Sequence, residues 1–95
     1  MGNVGRVAVI TGAAQGIGKR TAAVLAEHGY SLALSDLRTL SETVRAANAA
    51  GVEVLECVGD ISDEAVVSRF ADAVRERWRS SIFVLTRNAI TLGLN

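Results

Sequence analysis

The 95-residue sequence has no proline, one cysteine, one histidine and few aromatics: one tryptophan, one tyrosine and two phenylalanines. A single cysteine, Cys57, excludes an internal disulfide framework and any multi-cysteine metal site. With only one histidine beside it, a His/Cys zinc cluster is excluded as well. Neither sign of charge is in excess, since ten Lys+Arg face ten Asp+Glu. That balance excludes a nucleic-acid binder carried by bulk charge and a polybasic membrane anchor. No stretch approaches the roughly 18–20 continuous apolar residues of a membrane span. The opening Met1-Gly2-Asn3-Val4-Gly5-Arg6 passes at once into a strand-like run, which leaves no room for a signal peptide. Gly2 invites a myristoylation reading, but Arg6 stands where that motif wants Ser or Thr. The expected location is the cytoplasm.

What is present is a core. Hydrophobic residues make up 49% of the chain, too many for intrinsic disorder. The length allows one small domain, residues 1–95, hiding roughly 60–65% of the surface its unfolded form exposes. Arg6 to Thr11 is a short β-rich run, apolar on both faces, as in a buried parallel strand. Ile17 to His28 reads as a helix with Ile17, Thr21, Val24, Leu25 and His28 on one stripe, stopped by Gly29. Ser31 to Ser35 is a second strand, with Leu32 and Leu34 on one face and Ala33 on the other. A second helix is expected from about Leu40 to Ala50, with a Thr39/Glu42 capping box, a stripe of Leu40, Val44 and Ala47, and a stop at Gly51. Val52 to Val58 reads as an edge strand because Glu53 and Glu56 interrupt it.

A third helix follows Ser62 as N-cap, with Asp63 and Glu64 in its first turn. It carries Val67, Phe70, Val74 and Trp78 on one face and Arg75, Arg77 and Arg79 near its end. Ile82 to Leu85 is a fourth strand. The order β-α-β-α-β-α-β implies an α/β, Rossmann-type parallel sheet with right-handed crossovers and strand order 3-2-1-4.

The chemistry lies in Thr11-Gly12-Ala13-Ala14-Gln15-Gly16-Ile17-Gly18, between first strand and first helix. There a pyrophosphate can meet free backbone N–H groups and the positive end of a helix dipole. Glycine serves three needs: a sharp turn, close approach of phosphate, and close packing of helix on strand. Gly12, Gly16 and Gly18 meet them in the spacing G-x-x-x-G-x-G. Asp36 ends the second strand about 20 residues on, where a carboxylate can accept both hydroxyls of an adenosine ribose. It would repel an NADP 2′-phosphate, so NAD is the expected cofactor; Arg38 offsets that repulsion and leaves NADP open. A P-loop does not fit, because Ala13 stands at its first glycine and Arg20 at its Ser/Thr. A methyltransferase also places an acid after its second strand, but the Thr11-Gly12 start, with no acid in Val9-Ile10-Thr11, suits it less. A glycine turn that only packs a helix on a strand is the bland alternative.

With the Thr11-Gly12…Gly16-Ile17-Gly18 turn, Asp36, and Asp60-Ile61 after the third strand, the sequence resembles the short-chain dehydrogenase/reductase family from Val4 to Trp78. The resemblance implies a nicotinamide dinucleotide partner and hydride transfer between an alcohol and a carbonyl. It implies that Asp60 bonds the adenine amino group and that the N–H of Ile61 bonds the ring. The candidate cofactor-binding residues are then Gly12, Gln15, Gly16, Ile17, Gly18, Asp36, Asp60, Ile61 and Asn88. Asn88 enters by alignment with the family's Asn-Asn-Ala-Gly, where Arg87 replaces an Asn and Ile90 a Gly.

Residues 79–95 diverge, and no Tyr-x-x-x-Lys occurs: Tyr30 is followed by Ser31-Leu32-Ala33-Leu34. No catalytic residue and no metal ligand is assigned. The chain therefore reads as the truncated amino-terminal, NAD(P)-binding part of an oxidoreductase, inactive alone. The alternative is a non-catalytic nucleotide-binding or protein-interaction module. Apolar strands with too few helices to cover them, and a fourth strand with a bare edge, imply marginal stability, aggregation or homo-oligomers through the uncovered sheet face.

Overall fold

A computed structural model of the protein describes residues 6–79, 82–87 and 90–94. The elements in order are β1 (Arg6–Thr11), α1 (Gly16–Glu27), β2 (Ser31–Asp36), α2 (Ser41–Ala49), β3 (Val54–Val58), α3 (Glu64–Arg77), β4 (Ile82–Arg87) and β5 (Ile90–Leu94). They build one sheet in the order β3-β2-β1-β4-β5. β1 pairs in parallel with β2 on one side and with β4 on the other. β2 pairs in parallel with β3. The expected order 3-2-1-4 is thus present, and β3 lies at a sheet edge as expected from Glu53 and Glu56, although the strand itself begins at Val54 and holds only Glu56. The chain reverses its direction of travel at β1. In open α/β sheets ligands bind at such a switch point, beyond the carboxyl ends of the strands.

The bare edge expected at β4 is not there. β5 runs antiparallel along it, from Phe83↔Leu94 to Arg87↔Ile90. Ile90, Leu92 and Leu94 alternate with Thr91 and Gly93, a strand period in the segment that reads as a divergent tail.

Two apolar layers flank the sheet. Ala8, Ile10, Leu32 and Leu34 face α1 and α2, where Ala13, Ala22, Ala26, Leu40 and Ala47 complete one core. Val7 and Ala33 point the other way, into Phe70, Val74 and Trp78 of the α3 side. Cys57 is half-buried against this second core, a packing role.

The stripe expected on α1 is not the buried one. Gly18, Ala22 and Ala26 face the sheet, at i, i+4 and i+8. Ile17 is 59% exposed and Val24 45%. The reason is distance: a Cβ on Gly18 would lie 2.1 Å from the Gly12 carbonyl oxygen, so only small residues allow this approach. The helix ends follow the glycines. Gly29 has φ 88°, its N–H bonds Ala26 O, and Tyr30 N–H bonds Leu25 O, a Schellman close. Gly51 (φ 82°) and Val52 repeat it on Asn48 and Ala47.

The helix starts differ from expectation by one residue. Leu40, not Thr39, is the N-cap of α2 and caps nothing with its side chain, while the Thr39 hydroxyl accepts from the Ser41 N–H at 3.3 Å. Glu42 leaves the expected capping box and takes Lys19 Nζ of α1 instead. At α3 the cap is Asp63, whose Oδ1 accepts from Ala65 N at 2.9 Å. Ser62 turns back to Asp60. On the α3 face Phe70, Val74 and Trp78 are buried, whereas Val67 is 39% exposed. Among the described residues no helix is long and apolar enough to cross a membrane.

Candidate nucleotide site

The carboxyl ends of β1, β2 and β3 meet in one corner. β1 gives way at Thr11 to the glycine turn, which reverses direction through Gly12 at φ 67° and enters α1 through Gly16 at φ 59°. Both angles lie in the left-handed region that favours glycine. Gly16 and Gly18 have different jobs. A Cβ on Gly16 would meet nothing within 4 Å, so the backbone is open to an approaching group; Gly18 is closed against Gly12.

The turn is held from outside. Ala13 N–H donates to Ser35 O at 3.1 Å. Ala14 N–H donates to Asp36 Oδ2 at 2.8 Å. The buried Thr43 hydroxyl of α2 donates to Ala13 O at 2.7 Å. None of these bonds uses the first amides of α1, which have no intrahelical acceptor. The N-cap Gln15 lends them no side chain, and no acid stands in the first turn. α3, by contrast, is capped by its own Asp63. The residues therefore fit a dinucleotide's diphosphate: open N–H groups, a positive helix end and no Cβ in the way.

Asp36 sits at this corner as expected and does more than expected. One oxygen takes Ala14 N–H; the other takes Arg38 N–H at 3.0 Å. Partial burial pushes its pKa up. Backbone N–H groups of Arg38, Ala14 and Leu37, with the Arg38 charge, outweigh this and hold it below the ordinary aspartate value. The carboxylate is thus an anion at neutral pH, and each oxygen keeps lone-pair capacity for a further donor.

Across the corner, Gly59 N–H bonds Asp36 O at 2.9 Å, drawing the end of β3 to the end of β2. Asp60 follows. Its Oδ1 accepts both the Ser62 hydroxyl (2.6 Å) and Ser62 N–H (2.9 Å), and these two bonds lower its pKa. Ile61 packs partly against the α3 core. Gly12, Gln15, Gly16, Ile17, Gly18 and Asp36 are therefore gathered at one end of β1 and β2, with Asp60 and Ile61 at the adjoining end of β3. Asn88 lies outside the described residues.

One residue of the corner escapes the sequence reading, and a second is read without its side-chain role. Thr43 is 30 residues from Ala13, and nothing local marks it. Gln15 is a candidate, but not for what its side chain does: its Oε1 accepts from Arg38 Nη1. Among the described residues no group of three His, Cys, Asp or Glu could hold a metal ion.

Comparison with known proteins agrees with this geometry. The family model for short chain dehydrogenase matches residues 6–93. SadH of Mycobacterium tuberculosis is 47% identical over 72 residues, covering 74% of this chain and 26% of that protein. A short chain dehydrogenase from Mycobacterium paratuberculosis, solved bound to NAD, superposes with TM-score 0.74 at 30% identity, covering 79% of this chain and 33% of that one. An NAD+-bound xylitol dehydrogenase superposes with TM-score 0.78 at 34% identity, covering 85% and 32%. The chain spans about a quarter to a third of the length of these relatives. On a match across nearly all of its residues, the chain belongs to the short-chain dehydrogenase/reductase family.

Proposed function

We propose that this chain forms the adenosine-diphosphate half of a nicotinamide-dinucleotide site in an oxidoreductase that interconverts an alcohol and a carbonyl. The observation that carries the reading is the uncapped start of α1 beside a fixed carboxylate. The N–H groups of Gly16, Ile17 and Gly18 take the diphosphate. Asp36 accepts the ribose hydroxyls. Asp60 takes the adenine amino group through the oxygen Ser62 leaves open, and Ile61 N–H takes the ring. The relatives solved with NAD support that cofactor. The Asp36 anion adds repulsion of a 2′-phosphate, with Arg38 as the counter-charge that leaves NADP open.

When bound, the nicotinamide supplies the hydride acceptor or donor. This chain's residues bind and orient; among the described residues none is assigned to move a proton at a substrate oxygen. The chain by itself holds cofactor without turnover. It acts in the cytoplasm and self-associates through the uncovered sheet face, which sedimentation at two protein concentrations reads directly.

The test is calorimetric titration of the 95-residue chain with NAD, wild type against Asp36→Ala, each checked for folding by circular dichroism. The expected result is heat in the wild type and at least a tenfold weaker response in the variant. A folded wild type with no heat refutes the nucleotide reading and favours an interaction module.

A further inference from the structure

We propose that Gln15 and Arg38 form a clip that positions the two loops flanking the ribose site, so that adenosine enters a rim already set. The inference rests on the nucleotide reading above.

The glycine turn and the loop after β2 are 22 to 23 residues apart in sequence and are tied twice. The lower tie is Ala14 N–H to Asp36 Oδ2 at 2.8 Å, partly buried. The upper tie is Arg38 Nη1 to Gln15 Oε1, exposed. Arg38 belongs to both layers, since its backbone N–H also holds Asp36 Oδ1 at 3.0 Å. Arg38 is therefore held at two points, by its guanidinium across the rim and by its backbone N–H beneath it. Gln15, extended at φ −156° and ψ 171°, spends its side chain across the rim rather than on the amides of α1. That choice leaves the diphosphate end of the site open and ties the two loops together at the sugar end. The clip also keeps a cation beside the Asp36 anion, close enough for its charge to be felt there.

An exposed hydrogen bond of this kind adds little to global stability. Its effect on a ligand is larger in proportion, because a loop pair that must be ordered on binding lowers affinity by the fraction of time it is unset. The two residues should then act as one unit.

The experiment titrates ADP into wild type, Gln15→Ala, Arg38→Ala and the double variant, with thermal melts and hydrogen exchange of the Ala14 amide alongside. Each single variant is expected to weaken ADP about three- to tenfold. The double variant should be no weaker than the worse single one. Ala14 exchange should quicken in both singles without nucleotide, with melts within about 2 °C of wild type. Arg38→Lys, which can still reach the Gln15 oxygen, should recover part of the affinity. An unchanged affinity in Gln15→Ala, or losses that multiply in the double variant, overturns the clip. A folded wild type that binds no ADP refutes the nucleotide reading instead. The tie between the loops is then judged on Ala14 exchange, and unchanged exchange in both singles overturns it.

Discussion

Gly18→Ala sets two effects of opposite sign against each other. Within a helix, alanine is favoured over glycine by about 0.8–1.0 kcal/mol. On propensity alone the change should stabilise α1. The structure says otherwise. The new Cβ would stand 2.1 Å from Gly12 O, 2.8 Å from Gly12 C and 3.2 Å from Ala13 Cα. All three are backbone atoms, so no rotamer relieves the clash. Restoring an ordinary contact requires the helix start to move about 1 Å or more away from the turn. That movement strains the bonds holding the turn to Ser35, Asp36 and Thr43.

Overpacking costs about 1–3 kcal/mol, at times more. A 2.1 Å clash with backbone takes the upper part of that range, about 2–3 kcal/mol, so net of the propensity gain the variant should lose about 1–2 kcal/mol. For a domain of this size each kcal/mol moves the melting midpoint roughly 4–8 °C. A drop of about 5–15 °C is therefore expected in a thermal melt followed by circular dichroism. Gly16→Ala isolates backbone strain from steric clash. It meets no atom within 4 Å, and its penalty comes only from φ +59°, about 1–2 kcal/mol. A Gly18→Ala chain that melts at or above wild type would refute the close-approach account of α1, and with it the reason Ile17 and Val24 lie outside.

Further outcomes follow from single contacts. Thr43→Val keeps the shape but removes the hydroxyl that donates to Ala13 O. It should cost about 1–3 kcal/mol by urea unfolding, with Thr43→Ser nearer wild type. Asp63→Ala should lose about 0.5–2 kcal/mol as the α3 cap, whereas Ser62→Ala should change the urea midpoint little; the reverse ranking would restore Ser62 as the cap. Asp36 has a native pKa below its ordinary 3.8, so its bonds stabilise the fold above the unfolded value and lose that advantage as pH falls through the native one. The stability gap between wild type and Asp36→Asn should accordingly be flat from neutral pH to about 5 and shrink below about 4. A gap that widens with acid would show that the carboxylate is not held as described.

The strand order and the glycine turn were legible because they depend on residue type and spacing. Alternation put Leu32 and Leu34 opposite Ala33, and Gly29 and Gly51 stopped their helices. The burial of α1 was hidden because an apolar stripe is sought among large side chains, while this helix packs through Gly18, Ala22 and Ala26. Caps slipped by one where two cap-forming residues stand together, as with Ser62 and Asp63. β5 was passed over because its residues depart from the family pattern, though Ile90, Leu92 and Leu94 alternate. Thr43 and the Arg38 side chain could not be placed at all: their partners lie 30 and 23 residues away.

Asp36 is the point where folding and binding share one group. Its carboxylate is spent on Ala14 and Arg38 before any ligand arrives. A side chain that served only a sugar would be free to rotate, and a ligand would have to order it. Here the ordering is completed during folding, and the turn it holds presents its amides at the same moment. The same economy explains why the turn can be both rigid and open. The backbone bonds that fix it enter at Ala13 and Ala14, the Gln15 side chain is tied to Arg38, and none of these draws on the amides of the exposed Gly16 and Ile17. Substitution at Asp36 must then disturb binding by two routes, through the lost acceptor and through a loosened turn. Asp36→Asn, which retains an oxygen for Ala14 N–H, separates them. A nucleotide affinity much closer to wild type in Asn than in Ala would assign the larger share to the turn.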